Sequence, residues 1–357
     1  MLLRLFDAAL LKLITPRAAM AGLAALLLCV ALGPRIIAML RRRKVGEKTE
    51  KGDSRRLDDI MSQKKNTPTM GGVFLCAAVV LAALLAYDGR SRMIPILVAS
   101  TVALCALGAV DDWMKLSGRS KTGMPACVKM IGQVLIGFGA GCWLTVAMSK
   151  SDPAQASLIH VPLVGAFDVG IAYPLFVMLV TVATSNGVNI TDGLDGLAGG
   201  CLAIAFCAFA AIAYCAGRVD FSGYLGLPYV RASAEVTVFC AAALGATLGF
   251  LWFNSHPAQV FMGDSGSLPM GGVLGLVACA TKQEVLLVLV GGIFVIEAGS
   301  SLVQILWFKT TGRRLFRIAP LHHHFQFGGM PETKIVARFW ICAAVLAVTT
   351  LATLKLR

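Results

Sequence analysis

The sequence predicts an all-α integral membrane protein of about ten transmembrane helices, with both termini outside and a functional site at the cytoplasmic face. Three observations predict it. Of the 357 residues, 57% are hydrophobic and only 14% charged, against about 25% charged in an ordinary soluble domain, and the mean hydropathy is +0.77. Apolar runs of roughly the 17 to 25 residues needed to cross a bilayer recur along the whole chain. The loops between them alternate in charge, with 18 Lys and Arg after odd-numbered runs and 6 after even-numbered ones. The positive-inside rule places the first set in the cytoplasm.

Residues 1–17 begin MLLRLFDAALLKLITP. Asp7 and Lys12 interrupt the apolar stretch and no small-residue cleavage site follows, so it reads as an interfacial lead-in rather than a signal peptide. The apolar runs are Ala18 to Leu40, Met70 to Tyr87, Met93 to Val110, Ala126 to Met148, Ile171 to Val188, Gly196 to Ala216, Ala232 to Phe253, Leu268 to Ala280, Val285 to Phe308 and Ile335 to Leu354. The eighth is short for a full span, and its start could lie earlier, near Asp264. Residues 41–69 form a charged cytoplasmic loop, and the Pro- and Ser-containing segment 149–171 is expected to make a small outer hairpin. A single polytopic domain accounts for the chain, with no soluble domain visible. Eleven cysteines lie scattered in the apolar runs without C-x-x-C spacing, which points to neither a disulfide framework nor a zinc site. The formal charge of +13 follows the loop alternation, so it argues for membrane orientation and against a nucleic-acid partner.

With that topology, five polar segments face the cytoplasm: TPTMGG (67–72), AVDDWMK (109–115), SNGVNITDGLDGLAGG (185–200), FNSHPAQVFMGDSGS (253–267) and APLHHHF (319–325). The outer loops hold no comparable grouping of acids and histidines. A carboxylate at membrane depth costs roughly 2.5 to 3.5 kcal/mol, so several on one side suggest a site that uses them, although caps and solvated loop ends are the plain alternative. Asp111 and Asp112 are adjacent and repel unless a cation lies between them. A divalent metal would serve, and Lys115, one turn on, would give a simple salt-bridged helix end instead. Asp192 and Asp195 would share a face with Asn189 nearby if their turn is helical, or Asp192 caps a helix. Asp264 stands in MGDSGS at an expected helix start, where free N–H groups attract phosphate and an acid could hold a metal. Oxygen ligands without Cys favour Mg²⁺ or Mn²⁺ over zinc.

His322, His323 and His324 are three of five histidines, and consecutive side chains cannot all point one way, so at most two address one ligand. Metal binding and donation to phosphate oxygens both suit them. Lys64, Lys65, Thr67 and Thr69 offer cations and hydroxyls to an anionic substrate, with orientation charges as the alternative for the lysines. Glu297 lies inside an apolar run, which suggests an ion pathway or a hydrogen bond at a bend opening a groove for a lipid tail; Gln304 follows two turns on. No G-x-x-x-x-G-K-[ST] sequence is present, so a P-loop ATPase is not supported. The inventory fits phosphoryl transfer between a water-soluble diphosphate and a phosphorylated lipid, chemistry that needs positioning and charge neutralisation.

TPTMGG, VDDWMK, SNGVNITDGLDGLAGG, GFLWFNSHPAQVFMGDSGSL and FRIAPLHHHFQ resemble, in order, the signatures of the bacterial phospho-N-acetylmuramoyl-pentapeptide transferase family, within the polyprenyl-phosphate N-acetylhexosamine-1-phosphate transferases. The likeness runs from about Gly33 to the C-terminus. It implies transfer of phospho-N-acetylmuramoyl-pentapeptide from UDP-N-acetylmuramoyl-pentapeptide to undecaprenyl phosphate in the bacterial inner membrane, giving lipid I and UMP, with Mg²⁺ as cofactor and a homodimer as the expected assembly. By motif matching Asp264 is the principal Mg²⁺ ligand with Asp111, and Asp111 and Asp112 stand near the reacting phosphates. His323 and His324 join these acids as catalytic candidates. Asn189, Asp192 and Asp195 contact the nucleotide-sugar or build its pocket, Phe261 stacks on uracil, and Lys64, Thr69, Lys115, Asn254, Ser267, Gln304 and His322 line the substrate region.

A sister transferase using UDP-N-acetylglucosamine shares the acidic motifs, but PLHHHF points to the muramoyl branch. A cation-coupled transporter, suggested by Glu297, would spread essential acids through the membrane depth toward both faces, whereas these gather on one. A lipid-binding scaffold gives no reason for so many metal-compatible oxygens.

Overall fold

In hydrocarbon every backbone N–H and C=O must be satisfied within its own segment, and the apolar runs accordingly form helices. The computed structural model describes residues 13–42, 67–118, 120 and 123–356. In chain order its elements are α1 (Ile14–Arg42), α2 (Gly72–Leu85), α3 (Met93–Leu116), α4 (Ala126–Ser151), β1 (Leu158–Val161), β2 (Gly165–Asp168), α5 (Tyr173–Thr191), α6 (Leu197–Ala216) and α7 (Val219–Leu225), then α8 (Ser233–Asn254), α9 (Asp264–Ala280), α10 (Glu284–Val290), α11 (Gly292–Thr311), α12 (Leu321–Phe327) and α13 (Glu332–Thr353). Among the described residues eight helices are long and apolar enough to cross a membrane: α1, α3, α4, α5 with the turn before it, α6, α8, α11 and α13. This is a multi-pass, all-α membrane architecture.

Two apolar runs take another form than a lipid-facing span. The 14-residue α2 extends only about 21 Å at 1.5 Å per residue. Every residue of α9 is buried, so this helix is the centre of the bundle, packed against α3 and α5. It begins at Asp264 rather than Leu268 because the polar turn DSGS is itself helical. The run Val285 to Phe308, expected as one helix, is broken: α10 ends at Val290 and α11 begins at Gly292. The Gly291–Gly292 pair supplies the break, since consecutive glycines weaken a helix where its neighbours draw it aside.

Polar side chains inside the bundle are used in pairs. Gln133 of α4 donates to Ser185 Oγ at 3.0 Å and accepts from Asn186 Nδ2 at 3.1 Å, while Ser185 donates to Leu268 O at 2.9 Å. This network fastens α4, α5 and α9 together, and each buried group has its partner. At the end of the bundle away from Asp264, Arg17 donates to Ala86 O at 3.0 Å and to both oxygens of Glu235, joining α1, α2 and α8. Nearby, β1 and β2 pair antiparallel with Leu158 opposite Asp168 and Val161 opposite Gly165. Lys282 ties this hairpin down: its ammonium donates to Ala156 O and Leu158 O at 3.2 and 3.1 Å and lies 3.5 Å from the Tyr173 ring centroid. Burial pushes its pKa down to about 8.

Removing one partner of a buried ion pair costs about 3 kcal/mol or more. We therefore predict that Arg17→Met, which strips Glu235 of its bidentate partner, lowers the thermal midpoint of the detergent-solubilised protein. An unchanged midpoint would mean the pair contributes no stability.

Candidate functional site

The site is built on the first turn of α9. Gly263, at φ 69°, turns the chain so that Asp264 opens the helix, and the freed N–H groups of Asp264 and Ser265 point at α3. Asp112 receives both, Oδ1 from Asp264 at 3.2 Å and Oδ2 from Ser265 at 2.9 Å. A carboxylate from another helix thus caps α9, favoured both by hydrogen bonding and by the positive helix end. The approach is close because Gly108 of α3 lies against the Asp264 carbonyl and Gly72 of α2 against the Gly266 amide; a Cβ at either position would collide with backbone.

Asp264 is the hub. Its Oδ2 lies 2.6 Å from Lys129 Nζ and 2.9 Å from Lys115 Nζ, and its Oδ1 accepts from Asn189 Nδ2 at 2.6 Å. Asn189 also donates to Ser267 Oγ at 2.8 Å, which in turn donates to Gly263 O at 2.9 Å. Asp111 accepts from the Met124 amide at 2.7 Å and pairs with Lys115 at 2.6 Å. Asp111, Asp112 and Asp264 are buried and offer oxygens within 4.8 Å of one another. Three carboxylates and no thiolate form a donor set suited to a hard divalent cation. All three are engaged, Asp264 and Asp111 chiefly with lysines, and Asp112 with both oxygens on the backbone of α9.

TPTMGG braces this turn. Phe261 N donates to Pro68 O at 2.8 Å, and Gly71 N and Gly72 N donate to Phe261 O and Met262 O, each at 2.9 Å. Thr69 is thereby buried beside Gly263. Lys64, the remaining candidate from this loop, lies outside the described residues.

A second group lies at the α5–α6 connection. α5 stops at Thr191, so Asp192 and Asp195 sit in a non-helical turn rather than on a shared helical face. Asp195 accepts from His256 Nδ1 at 3.0 Å and Ala258 N at 3.1 Å, and its own amide donates to Glu332 at 2.7 Å. Asn254 accepts from Gly196 N at 3.1 Å and donates to Val260 O at 2.9 Å. Its amide therefore locks the turn to the segment carrying Phe261. The third group is α12. His322 is buried against Glu297, His323 bonds Gln326 at 3.0 Å, and His324 Nδ1 accepts from Arg317 N at 3.2 Å. Gln304 holds the loop before α12, accepting from Leu315 N and Phe316 N at 3.1 and 2.9 Å. Of the three histidines, His322 reaches the 192–195 turn, through its contact with Gly193.

Lys129, absent from the residues singled out in the sequence, proves central. Its signal was present: a lone cation one turn inside the run beginning at Ala126, the same kind of anomaly as Glu297. Glu332, a partner of Asp195, lies outside the polar segments, and His256, although inside FNSHPAQVFMGDSGS, is matched to Asp195 only by the fold that joins the two segments.

A membrane bundle whose rim gathers carboxylates, ammonium groups and a helix N-terminus defines a membrane-embedded transferase of phosphorylated substrates. Residues 94–282 match the family model of glycosyl transferase family 4, and residues 64–76 match phospho-N-acetylmuramoyl-pentapeptide-transferase signature 1. The chain is 47% identical over 352 residues to the phospho-N-acetylmuramoyl-pentapeptide-transferase of Granulibacter bethesdensis, covering 98% of this chain and 95% of that one. It is 44% identical over 348 residues to the enzyme of the same name from Desulfosudis oleivorans, covering 96% and 94%. The chain belongs to the phospho-N-acetylmuramoyl-pentapeptide transferase family.

Asn in place of Asp112 presents one carbonyl oxygen to two N–H donors, and a buried donor left unpaired costs about 1–3 kcal/mol. Asp112→Asn should therefore lower the thermal midpoint more than Asp111→Asn does. Equal or reversed shifts would remove Asp112 from its capping role.

Proposed function

We propose that this enzyme transfers phospho-N-acetylmuramoyl-pentapeptide from UDP-N-acetylmuramoyl-pentapeptide to undecaprenyl phosphate at the cytoplasmic face of the bacterial inner membrane, forming lipid I and releasing UMP. The observation that carries the reading is Asp264, held at a helix N-terminus between two lysines and Asn189, with Asp111 and Asp112 within reach. In this reading α2 and α9 join the eight long helices to make ten crossings, α10 and α11 together forming one of them, with both termini periplasmic.

An oxygen of the lipid phosphate attacks the sugar-linked phosphorus of the donor. A new P–O–P linkage forms, the bond to the UMP oxygen breaks, and that oxygen leaves with the electron pair. Lys115 and Lys129 hold the phosphate oxygens and absorb charge as it shifts toward UMP. Asp111, whose oxygens cap no helix, takes the proton where the acceptor phosphate carries one. Asp264 and Asp111 hold Mg²⁺, which when bound neutralises the diphosphate. Asp192, Asp195 and Phe261 form the nucleotide side, Thr69 and Ser267 border the phosphates, and His323 and His324 face the sugar-phosphate. Asn254 supports this wall through the backbone it binds.

Purified protein given both substrates and Mg²⁺ should release UMP and form the lipid product. Chelation with EDTA should stop turnover, and Mg²⁺ should restore it. Product with UDP-N-acetylglucosamine as donor, and none with the muramoyl donor, would transfer the assignment to the sister enzymes. Loss of a preorganised charge partner costs about 100-fold or more in rate, so Lys129→Met and Asp264→Asn should each reduce kcat at least that far while remaining folded. Near-normal UMP release by either variant removes that residue from the site.

A further inference from the structure

Glu297 stands fully buried in α11, and both of its oxygens turn to one residue. Oε1 accepts from the His322 amide at 3.1 Å, and Oε2 lies 2.9 Å from His322 Nδ1. Seven residues further along α11, Gln304 binds the backbone at Leu315 and Phe316. The chain after α11 therefore runs back along that helix by about 10 Å, at 1.5 Å per residue, before α12 begins. The first N–H groups of a helix lack intrahelical partners, and the one on buried His322 has no water to take it. Glu297 supplies its acceptor, a physical reason for a carboxylate inside an apolar helix.

The other side of His322 is equally constrained. Its Nε2 is buried with no hydrogen-bond partner among the described residues, and it abuts Gly193 so closely that any Cβ there would collide with it. With the Glu297 side chain accepting from both the His322 amide and its ring, Nδ1 carries the hydrogen, and Nε2, with no acceptor facing it, is left as a bare lone pair. That is the cheaper arrangement, since an orphaned N–H is rarer in buried sites than an unfilled acceptor. His322 is thus a wedge between α11 and the turn bearing Asp192 and Asp195.

We propose that Glu297 is a positioning residue of the transferase. By fixing the Nδ1–H tautomer and depth of His322, it sets the position of the 192–195 turn and hence the nucleotide side of the site. This rests on the transferase reading above. Glu297→Gln keeps the shape and an acceptor for the His322 amide, but turns an NH₂ group toward Nδ1. The histidine must then carry its hydrogen on Nε2, against Gly193.

In nitrogen-15 spectra of histidine-labelled protein, with His322 assigned through H322Q, the wild type should show Nδ1 protonated and Nε2 bare, and Glu297→Gln should reverse the two. In kinetics, Glu297→Gln should raise the KM for the UDP-linked donor about tenfold, with the KM for the lipid phosphate unchanged. Gly193→Ala should do the same, and the double variant should be little worse than either single one, because both act on one contact. A bare Nδ1 in the wild type, an unchanged donor KM in Glu297→Gln, or fully additive losses would overturn the proposal. The wild-type spectrum requires no folded Glu297 variant. Absence of wild-type turnover would instead sink the transferase reading, and the tautomer measurement would still decide whether Glu297 orders His322.

Discussion

The capped N-terminus of α9 is the constraint on which the rest of the site depends. A helix buried along its whole length cannot leave its first amides to water, so an acceptor must come from a neighbour, and Asp112 of α3 is that acceptor. Bringing α3 close enough requires Gly108, and bringing α2 alongside requires Gly72. Once α3 docks in this register, Asp111 and Lys115 fall beside Asp264 without further provision. The chemistry of the rim is therefore a consequence of how one central helix is started.

The same physics governs the polar groups deeper in the bundle. Gln133, Ser185 and Asn186 satisfy one another and a carbonyl of α9, and Glu297 is closed by His322. A transporter would need acids available at successive depths. Here the intramembrane acid of α11 is committed to a histidine and Glu235 at the opposite end to Arg17, while Asp111, Asp112 and Asp264 converge on one another at a single end of the bundle. That distribution separates surface chemistry from a conduction path more firmly than the count of acids does.

Much of this was legible in the chain, because hydropathy and the outlying polar motifs are local signals. The positions of the runs, the helix start at Asp264 and the convergence of VDDWMK with MGDSGS at one site all follow from such signals. What escaped was set by tertiary packing. Lys129 looked like part of an apolar run until α4 brought it to Asp264. The burial of α9 on every side could not be read from a pattern that equally suits a lipid-facing span. The break at Gly291 needed α10 and α11 to find different neighbours. Asp112 and Asp111 are indistinguishable as adjacent letters, and only the direction of α3 assigns one to the cap and the other to the lysines.

The charge balance at the α9 entrance explains why a cation and an anionic substrate belong together there. Three carboxylates face two ammonium groups, leaving the cluster one negative charge from neutrality in a setting where unpaired charge is expensive. A phosphorylated substrate entering alone would deepen that deficit, and a divalent cation alone would reverse its sign. Entering together, the two charges offset each other and leave the cluster's balance as it was, whereas the substrate alone deepens the deficit, so the cation favours substrate binding and, reciprocally, the substrate favours the cation's. Lys115 and Lys129 can then exchange Asp264 for phosphate oxygens without stranding a buried carboxylate. On the reading proposed above, the lysines that pair with Asp264 in the absence of substrate become phosphate ligands in its presence, a double duty that a salt-bridged helix end alone would not require.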